Sequence, residues 1–235
     1  MYNNLRLICR KIVAVGRNYN EHAKELGNAI PSQPIIFLKP SSSIITEGES
    51  IQIPKHTNEL HYEVELGIVI SDECKTISTE QSKEVIAGYV LALDMTDRQL
   101  QNQLKSNGHP WSLAKGFDTS CPISKFIHKS LIPNPENVNG KLKQHDSTQN
   151  MIWSPYELIS FISNYFTLEK GDIILTGTPQ GVGSVKSGDV IESSIDGVIS
   201  MKFNRERERS LDVQLTGATP SMLGFSPKLL NTAIT

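Results

Sequence analysis

The sequence has few cysteines and no long apolar run, and each absence argues against a class of protein. Its three cysteines, Cys9, Cys74 and Cys121, lie far apart in a chain of 235 residues. No pair has the close spacing of a zinc or redox motif, so free thiols are expected rather than a disulfide framework. No apolar run approaches the roughly 20 residues of a membrane-spanning helix, so no membrane association is expected.

The sequence also lacks a large net charge of either sign. The 23 Lys and Arg residues nearly balance the 25 Asp and Glu residues, which gives a formal net charge of −2. This balance offers no electrostatic reason to expect nucleic acid or an acidic membrane surface as a partner. Acidic residues are absent before Glu21 while basic ones are present, which weakly resembles a mitochondrial import sequence.

Short apolar stretches bounded by glycine and proline dominate the pattern. Strands are predicted at 12–15, 34–40 and 50–54 and within "EVELGIVI", "KEVIAGYVLALDMT", "DIILTGTP" and "DVIESSIDGVISMKF". Helices are predicted at 18–27, 97–106 and 154–166. The sequence therefore predicts an α+β, strand-dominated domain over residues 1–203. Residues 204–235 show no regular period and are predicted to form an atypical, poorly ordered C-terminal tail.

The stretch "HTNELHYEVELGIVIS" places two carboxylates on one face of a predicted strand. Because side chains alternate along a strand, Glu63 and Glu65 share a side, and solvent, a basic side chain or a divalent cation must offset their repulsion. Asp94 ends the next apolar stretch, where a carboxylate is costly to bury unless it is paired or binds a metal. Three carboxylates from two strands suit Mg²⁺ or Mn²⁺ better than Zn²⁺.

Three further residues could take part in proton transfer or charge stabilisation. His22 and Glu25 are spaced i and i+3 on a short predicted helix, so the carboxylate could orient the imidazole as a general base. Spacing alone favours an ordinary surface pair for these two residues. Lys115, in "WSLAKGFD", could hold a substrate carboxylate or point into water, and the sequence does not decide between them.

Four more residues could contact an anionic ligand. Arg17 follows the glycine that ends the first predicted strand, and Arg98 and Gln101 are i and i+3 on the helix after "YVLALDMT". The segment 176–184, "TGTPQGVGS", is glycine-rich but lacks the Gly-Lys-Ser/Thr ending of a phosphate loop, so nucleotide binding is not predicted. Its backbone N–H groups and the Thr178 hydroxyl could still approach a small anion.

Six motifs, in order along the chain, closely resemble the fumarylacetoacetate hydrolase superfamily, in particular its small acylpyruvase and oxaloacetate decarboxylase subgroup. They are "VGRNYNEHAKE", "FLKPSSS", "HYEVELGIVI", "GYVLALDMTDRQLQ", "WSLAKGFDTSCPIS" and "GDIILTGTPQGVG". The likeness runs from about Ile12 to Phe203. It implies a mixed β-sandwich roll, usually a homodimer, in the mitochondrion with the cytosol as a second compartment.

The resemblance also implies roles for the candidate residues. The family's three carboxylate ligands for Mg²⁺, with Mn²⁺ as a substitute, match Glu63, Glu65 and Asp94. His22 and Glu25 match a dyad on a mobile lid that orders over substrate, in which the histidine activates water. Lys115 matches the lysine that stabilises developing negative charge. The positions that hold the 2-oxo acid end of the substrate match Arg17, Arg98, Gln101 and Thr178.

The implied activity is metal-dependent cleavage of C–C bonds in small 2-oxo and 2,4-dioxo acids. This means hydrolysis of acylpyruvates, decarboxylation of oxaloacetate, or both. An oxaloacetate keto–enol tautomerase, or another hydratase or isomerase of the family, stays open as an alternative. A metal-binding dimeric protein without turnover is the alternative from another class.

Two segments and one residue depart from the family pattern. The segment 135–144 is shorter than in the family and retains little of the apolar strand found there, which would open a sheet edge. Asp97 adds a fourth acid beside the predicted site. The tail 204–235 resembles nothing in the family.

Overall fold

The computed structural model describes Tyr2 and residues 4–27, 29–135, 144 and 146–207. The longer strands are β1 (Lys11–Gly16), β2 (Ile35–Pro40), β6 (Val64–Ile70), β7 (Ile86–Leu93), β13 (Val190–Ile195) and β14 (Ile199–Arg207). The shorter ones are β3 (Ile44–Ile45), β4 (Ile51–Ile53), β5 (Leu60–Tyr62), β8 (Thr96–Asp97), β9 (Cys121–Pro122), β10 (Ile127–His128), β11 (Ile173–Leu175) and β12 (Gly183–Val185). The α-helices are α1 (Leu5–Ile8), α2 (Asn20–Glu25), α3 (Arg98–Ser106), α4 (Ser112–Lys115) and α5 (Pro155–Ser163).

A mixed sheet in the order β10-β7-β6-β11-β1-β2 forms the centre of the fold. Its pairs are antiparallel except for β1 with β11. Smaller sheets, ordered β12-β5-β8, β13-β14-β4 and β3-β9, lie around it. The predicted strand-dominated α+β class is therefore confirmed, and the mixture of parallel and antiparallel pairs fits the predicted roll.

The central sheet is buried on both faces, as alternation along its strands shows. On β1, Val13 and Val15 belong to one apolar cluster, which also contains residues of α5, β13 and β14. Ile12 and Ala14 belong to a second cluster with Leu5 of α1 and residues around β3 and β9. Burial on both faces fixes the strand register, because a shift of one residue would exchange the two faces.

Polar side chains cap the N-termini of the two longest helices, α3 and α5. Ser154 and Glu157 form the capping box of α5 that the sequence predicts. Asp97 caps α3, since its carboxylate accepts from Leu100 N at 3.0 Å and from Thr57 Oγ1 at 2.6 Å. The fourth acid predicted beside the site thus serves a helix end.

Two strand predictions need correction. "EVELGIVI" is not part of one strand with the residues before it, because the chain changes sheets at Glu63, between β5 and β6. The last predicted strand also continues beyond Phe203, since β14 extends to Arg207 and pairs in parallel with β4. The predictions for residues 136–143 and for the tail from 208 onwards fall outside the described residues.

Candidate active site and metal centre

Beside the carboxyl-terminal end of β1 lies a cavity of about 300 Å³. Every predicted site residue except Glu25 contributes to its wall. The sequence prediction therefore placed these side chains together correctly, although their roles stay predictions. Residues that the sequence did not single out also line the cavity, among them Phe37, His61, Asn102, Lys105 and Trp111.

Glu63, Glu65 and Asp94 converge in this cavity. Each offers a carboxylate oxygen, and these oxygens lie within 4.8 Å of one another. The antiparallel pairing of β6 with β7 brings them together, because Asp94 N donates to Glu63 O at 2.8 Å just past the strand ends. All three side chains are buried, so the arrangement needs positive charge to be stable.

Lys115 supplies part of that charge. Its Nζ donates to Glu63 Oε2 at 2.8 Å, to Asp94 Oδ2 at 2.6 Å and to Thr96 Oγ1 at 2.6 Å. The lysine is buried, which excludes the alternative that it points into water. Burial by itself would lower the pKa of Lys115, but the charges of Asp94 and Glu63 outweigh it and raise the pKa. The ammonium group therefore stays charged.

Arg98 supplies a second cation through Nη2, which forms a short ion pair with Glu63 Oε1. Burial raises the pKa of Glu63, but Lys115 and Arg98 together outweigh it and hold that pKa far below its usual range. Glu63 is thus an anion at any physiological pH. Arg98 Nη1 also donates to Gln101 Oε1 at 2.5 Å, so the predicted i, i+3 pair on α3 forms one hydrogen-bonded unit.

Lys39 is a third cation that the sequence prediction missed. Its side chain is completely buried, and Nζ donates to Asp94 Oδ1 at 2.7 Å and to the backbone oxygen of Lys115. The lysine lies in the predicted strand "PIIFLKP", where a buried charge requires a partner. A lysine within an apolar strand was therefore visible in the sequence. The alternation of side chains does not by itself show, however, that Lys39 points inward and Leu38 outward.

Removing the Lys39 charge should therefore destabilise the protein. We expect Lys39→Met to lower the free energy of unfolding by about 3 kcal/mol, because Asp94 Oδ1 would lose its partner in a dry interior. Urea unfolding followed by circular dichroism measures this change. The matched control is Lys202→Met, which removes the exposed pair with Glu192 and should cost less than about 1 kcal/mol. Equal losses for both variants would contradict this account of Lys39.

Glu65 is the least compensated of the three carboxylates. Its Oε2 accepts from Gly177 N at 2.7 Å, and no Lys or Arg forms an ion pair with it among the described residues. Burial, with the neighbouring charges of Asp94 and Glu63, raises the pKa of Glu65 well above its usual value. A divalent cation beside Glu65 would favour the ionised form of this carboxylate, which no Lys or Arg of the described residues pairs with.

His22 and Glu25 form the predicted pair on α2. His22 Nδ1 lies 3.2 Å from Glu25 Oε2. Because an ionised carboxylate only accepts hydrogen bonds, this contact places the proton on Nδ1 and leaves the lone pair on Nε2. His22 is buried in the cavity wall, and burial lowers the pKa of its imidazole although Glu63 and Glu25 act in the opposite direction. The ring is therefore neutral at pH 7.

Arg17 and Thr178 complete the set of predicted residues. Arg17 has a φ of 59°, in the left-handed region that non-glycine residues rarely adopt, which turns the chain sharply after β1. The Thr178 hydroxyl donates to Val64 O at 2.9 Å and accepts from Gln144 Nε2 at 2.7 Å. This hydroxyl is therefore already oriented by the protein, and it has less freedom to bind a ligand than the sequence suggested.

A larger cavity of about 520 Å³ lies on the other side of the segment 177–179. Its wall mixes apolar residues such as Val64 and Ile191 with polar and acidic ones such as Asp189, and no Lys, Arg or His of the described residues lines it. Of the predicted site residues, only Glu65 reaches it. The smaller cavity is therefore where acids, bases and cations meet, and it is the better candidate for chemistry.

Known proteins share this architecture. Residues 11–204 match the family model for the fumarylacetoacetate (FAA) hydrolase C-terminal domain. A Bos taurus protein named oxaloacetate tautomerase FAHD1, mitochondrial, is 48% identical over 204 residues, which cover 84% of this chain and 92% of the relative. A Dictyostelium discoideum protein named oxaloacetate decarboxylase, mitochondrial, is 50% identical over 203 residues, which cover 83% of this chain and 93% of the relative.

A solved structure shows the same likeness. The fumarylpyruvate hydrolase of Pseudomonas aeruginosa, determined with Mn²⁺ and pyruvate, superposes with a TM-score of 0.80 at 34% identity. The match covers 85% of this chain and 91% of that one. The family match spans most of the sequence, and both named relatives far exceed 30% identity. This chain belongs to the fumarylacetoacetate hydrolase family.

Proposed function

We propose that the protein is a metal-dependent enzyme that cleaves C–C bonds in small 2-oxo acids. Its reaction is hydrolysis of short acylpyruvates, decarboxylation of oxaloacetate, or both, with Mg²⁺ as the resident ion and Mn²⁺ as a substitute. The names of its relatives support this class, since they include an oxaloacetate decarboxylase and a hydrolase crystallised with Mn²⁺ and pyruvate.

One observation carries the proposal: three buried carboxylates offer oxygens within 4.8 Å of one another in a cavity that also holds a neutral histidine. An all-carboxylate set of this kind suits a hard divalent cation. A protein that only stored the metal would not need the His22–Glu25 pair beside it. The pair therefore favours turnover over metal binding alone.

A divalent ion bound by Glu63, Glu65 and Asp94 would act as a Lewis acid toward the adjacent carboxylate and keto oxygens of a 2-oxo acid. The fold supplies the remaining charge. Lys115 and Arg98 are cations in the cavity wall, and they can attract the anionic substrate and stabilise negative charge that develops on it. The arrangement suits a substrate with two neighbouring anionic or polar oxygens.

In acylpyruvate hydrolysis, His22 would act as the general base. Nε2 takes a proton from water as the water oxygen bonds to the distal keto carbon. The neighbouring C–C bond then breaks, its electron pair stays on the pyruvate fragment, and the proton on His22 is returned to that carbon. Lys115 stabilises the charge on the pyruvate fragment. Decarboxylation of oxaloacetate uses the same charge stabilisation but needs no attacking water.

A keto–enol tautomerase acting on oxaloacetate is the second candidate. It is favoured by the Bos taurus relative, whose name describes this activity. The reaction moves one proton between the carbon next to the keto group and the keto oxygen, so a neutral His22 could serve as the acceptor. Both candidates use the same cavity, and they differ in whether a C–C bond is broken.

Compartment and assembly are part of the proposal. The relatives named above carry the word mitochondrial, which supports the mitochondrion. None of the helices in the described segments is long and apolar enough to cross a membrane. The homodimer is proposed from the family resemblance.

A substrate panel tests the proposed function. We expect acetylpyruvate, fumarylpyruvate or oxaloacetate to be turned over with Mg²⁺, and each rate to fall to background with a chelator, because the proposed Lewis acid is then removed from the carboxylate cluster. Release of pyruvate marks hydrolysis of the two acylpyruvates and decarboxylation of oxaloacetate. A change in the enol absorbance of oxaloacetate without release of pyruvate marks tautomerisation. Rates that are unchanged by the chelator would contradict the proposal.

The pH dependence of the hydrolysis gives a separate test. Burial keeps the pKa of His22 below its ordinary value of about 6.5, so kcat/KM should be constant at alkaline pH and fall on the acid side, with the midpoint of the fall below that value, as the base is protonated. Because its hydrogen bond with Glu25 raises that pKa, Glu25→Gln should move the fall to lower pH as well as reduce kcat. A shift to higher pH in the variant would contradict this role of Glu25.

A further inference from the structure

Gly181 connects α2 to β5 through both of its backbone polar groups. Its N–H donates to Glu25 Oε1 at 3.0 Å, and its carbonyl oxygen accepts from the Tyr62 hydroxyl at 3.1 Å. Tyr62 is the last residue of β5, directly before Glu63. A chain of hydrogen bonds therefore leads from Tyr62 through Gly181 and Glu25 to His22 Nδ1.

The turn around Gly181 lies against Tyr62. Gly181 has a φ of 95°, a conformation that residues with a side chain rarely adopt. The pairing of β12 with β5 sets Gly183 opposite Tyr62, and a Cβ on Gly183 would lie 3.0 Å from the tyrosine hydroxyl. The backbone and the phenol thus approach closely, and the hydroxyl is the polar group that fixes the carbonyl of Gly181.

Glu25 needs such support because it is only partly buried. Its side chain is 32% exposed and extends from a helix of six residues. A carboxylate in that position has several rotamers open to water, and only some of them reach His22. The contact with Gly181 N–H restricts Glu25 on the side away from the histidine.

We propose that Tyr62 is a positioning residue for the His22–Glu25 pair. Its hydroxyl holds the carbonyl of Gly181, so the N–H of the same residue holds Glu25 against His22. Tyr62 does not touch the carboxylate cluster through this group, and its contribution passes through Glu25. The inference rests on the proposed function, in which His22 is the base.

Tyr62→Phe removes only the hydroxyl and tests the proposal. We expect kcat for acylpyruvate hydrolysis to fall about three- to tenfold, the range that loss of one hydrogen bond produces. KM and the affinity for Mn²⁺ should stay unchanged, since the carboxylates and the basic residues are intact. Tyr89→Phe is the matched control, because Tyr89 is a buried tyrosine of β7 that the site does not use, and its kcat should equal wild type.

A double-mutant cycle shows whether the effect passes through Glu25. Tyr62→Phe should lower kcat in the wild-type background but not in the Glu25→Gln background. Equal effects in both backgrounds, or a wild-type kcat in Tyr62→Phe with the parent enzyme active, would overturn the inference and leave the proposed function standing.

A measurement without substrate separates the two claims. In metal-free protein with ¹⁵N-labelled histidine, Tyr62→Phe should shift the His22 ring signals in the same direction as Glu25→Gln, while Tyr89→Phe leaves them in place. Unshifted His22 signals in Tyr62→Phe would overturn the positioning role. If the signals shift but the parent protein turns over no 2-oxo acid, the proposed function fails and the hydrogen-bond chain stands.

Discussion

His22→Ala should reduce acylpyruvate hydrolysis by about a hundredfold to ten-thousandfold, the usual contribution of a general base. The neutral imidazole lines the cavity with Nδ1 tied to Glu25, and alanine leaves water without a proton acceptor there. Binding of Mn²⁺ should be unchanged, because the imidazole forms no hydrogen bond with the three carboxylates among the described contacts. Steady-state kinetics and a Mn²⁺ titration followed by electron paramagnetic resonance measure the two quantities.

Decarboxylation provides an internal comparison for this variant. Loss of CO₂ from oxaloacetate needs no attacking water, so His22→Ala should impair it far less than hydrolysis. His128→Ala, at an exposed histidine outside the cavity, is the control for the substitution itself. Hydrolysis at the wild-type rate in His22→Ala would show that another group activates the water.

Asp94→Asn should weaken Mn²⁺ binding by at least about 100-fold, more than the loss of a residue that only supports a ligand. The substitution removes one of three carboxylates and leaves the ammonium groups of Lys39 and Lys115 facing a neutral amide. Both changes make the cavity more positive and less able to hold a cation. Isothermal titration calorimetry measures the affinity, and turnover of every substrate should fall with it.

Asp172→Asn is the matched control for Asp94→Asn. Asp172 is also fully buried and forms an ion pair with Lys11 at 2.5 Å, but it lies outside the cavity. Both variants should lose stability, and only Asp94→Asn should lose Mn²⁺ affinity. A similar loss of affinity in the two would mean that unfolding, rather than the missing ligand, explains the result.

The carboxylate cluster could be predicted because its signals are local. Because side chains alternate along a strand, the sequence predicted that Glu63 and Glu65 share a side, and it placed Asp94 after the next apolar stretch. The structure brings them together even though β5 and β6 belong to different sheets, because the backbone hydrogen bond between Asp94 and Glu63 fixes their spacing. Their roles as ligands stay a prediction.

The counter-charges and connections of the site depend on contacts that the sequence does not record. Lys39 meets Asp94 from 55 residues away, and Gly181 meets Glu25 across 156 residues. Neither contact can be derived from local periodicity, because both contacts follow from how β2 and the segment before β12 pack onto the rest of the fold. The break at Glu63 escaped prediction for the same reason, since it reflects pairing partners rather than the strand's own pattern.

The most direct test is a crystal structure grown with Mn²⁺ and pyruvate, using anomalous diffraction to locate the metal. The account predicts one strong peak bonded to oxygens of Glu63, Glu65 and Asp94, with pyruvate reaching the same ion through its carboxylate and keto oxygens. Strong anomalous density elsewhere with none among these acids, or three carboxylates that turn away from a shared point when Mn²⁺ is supplied, would contradict it.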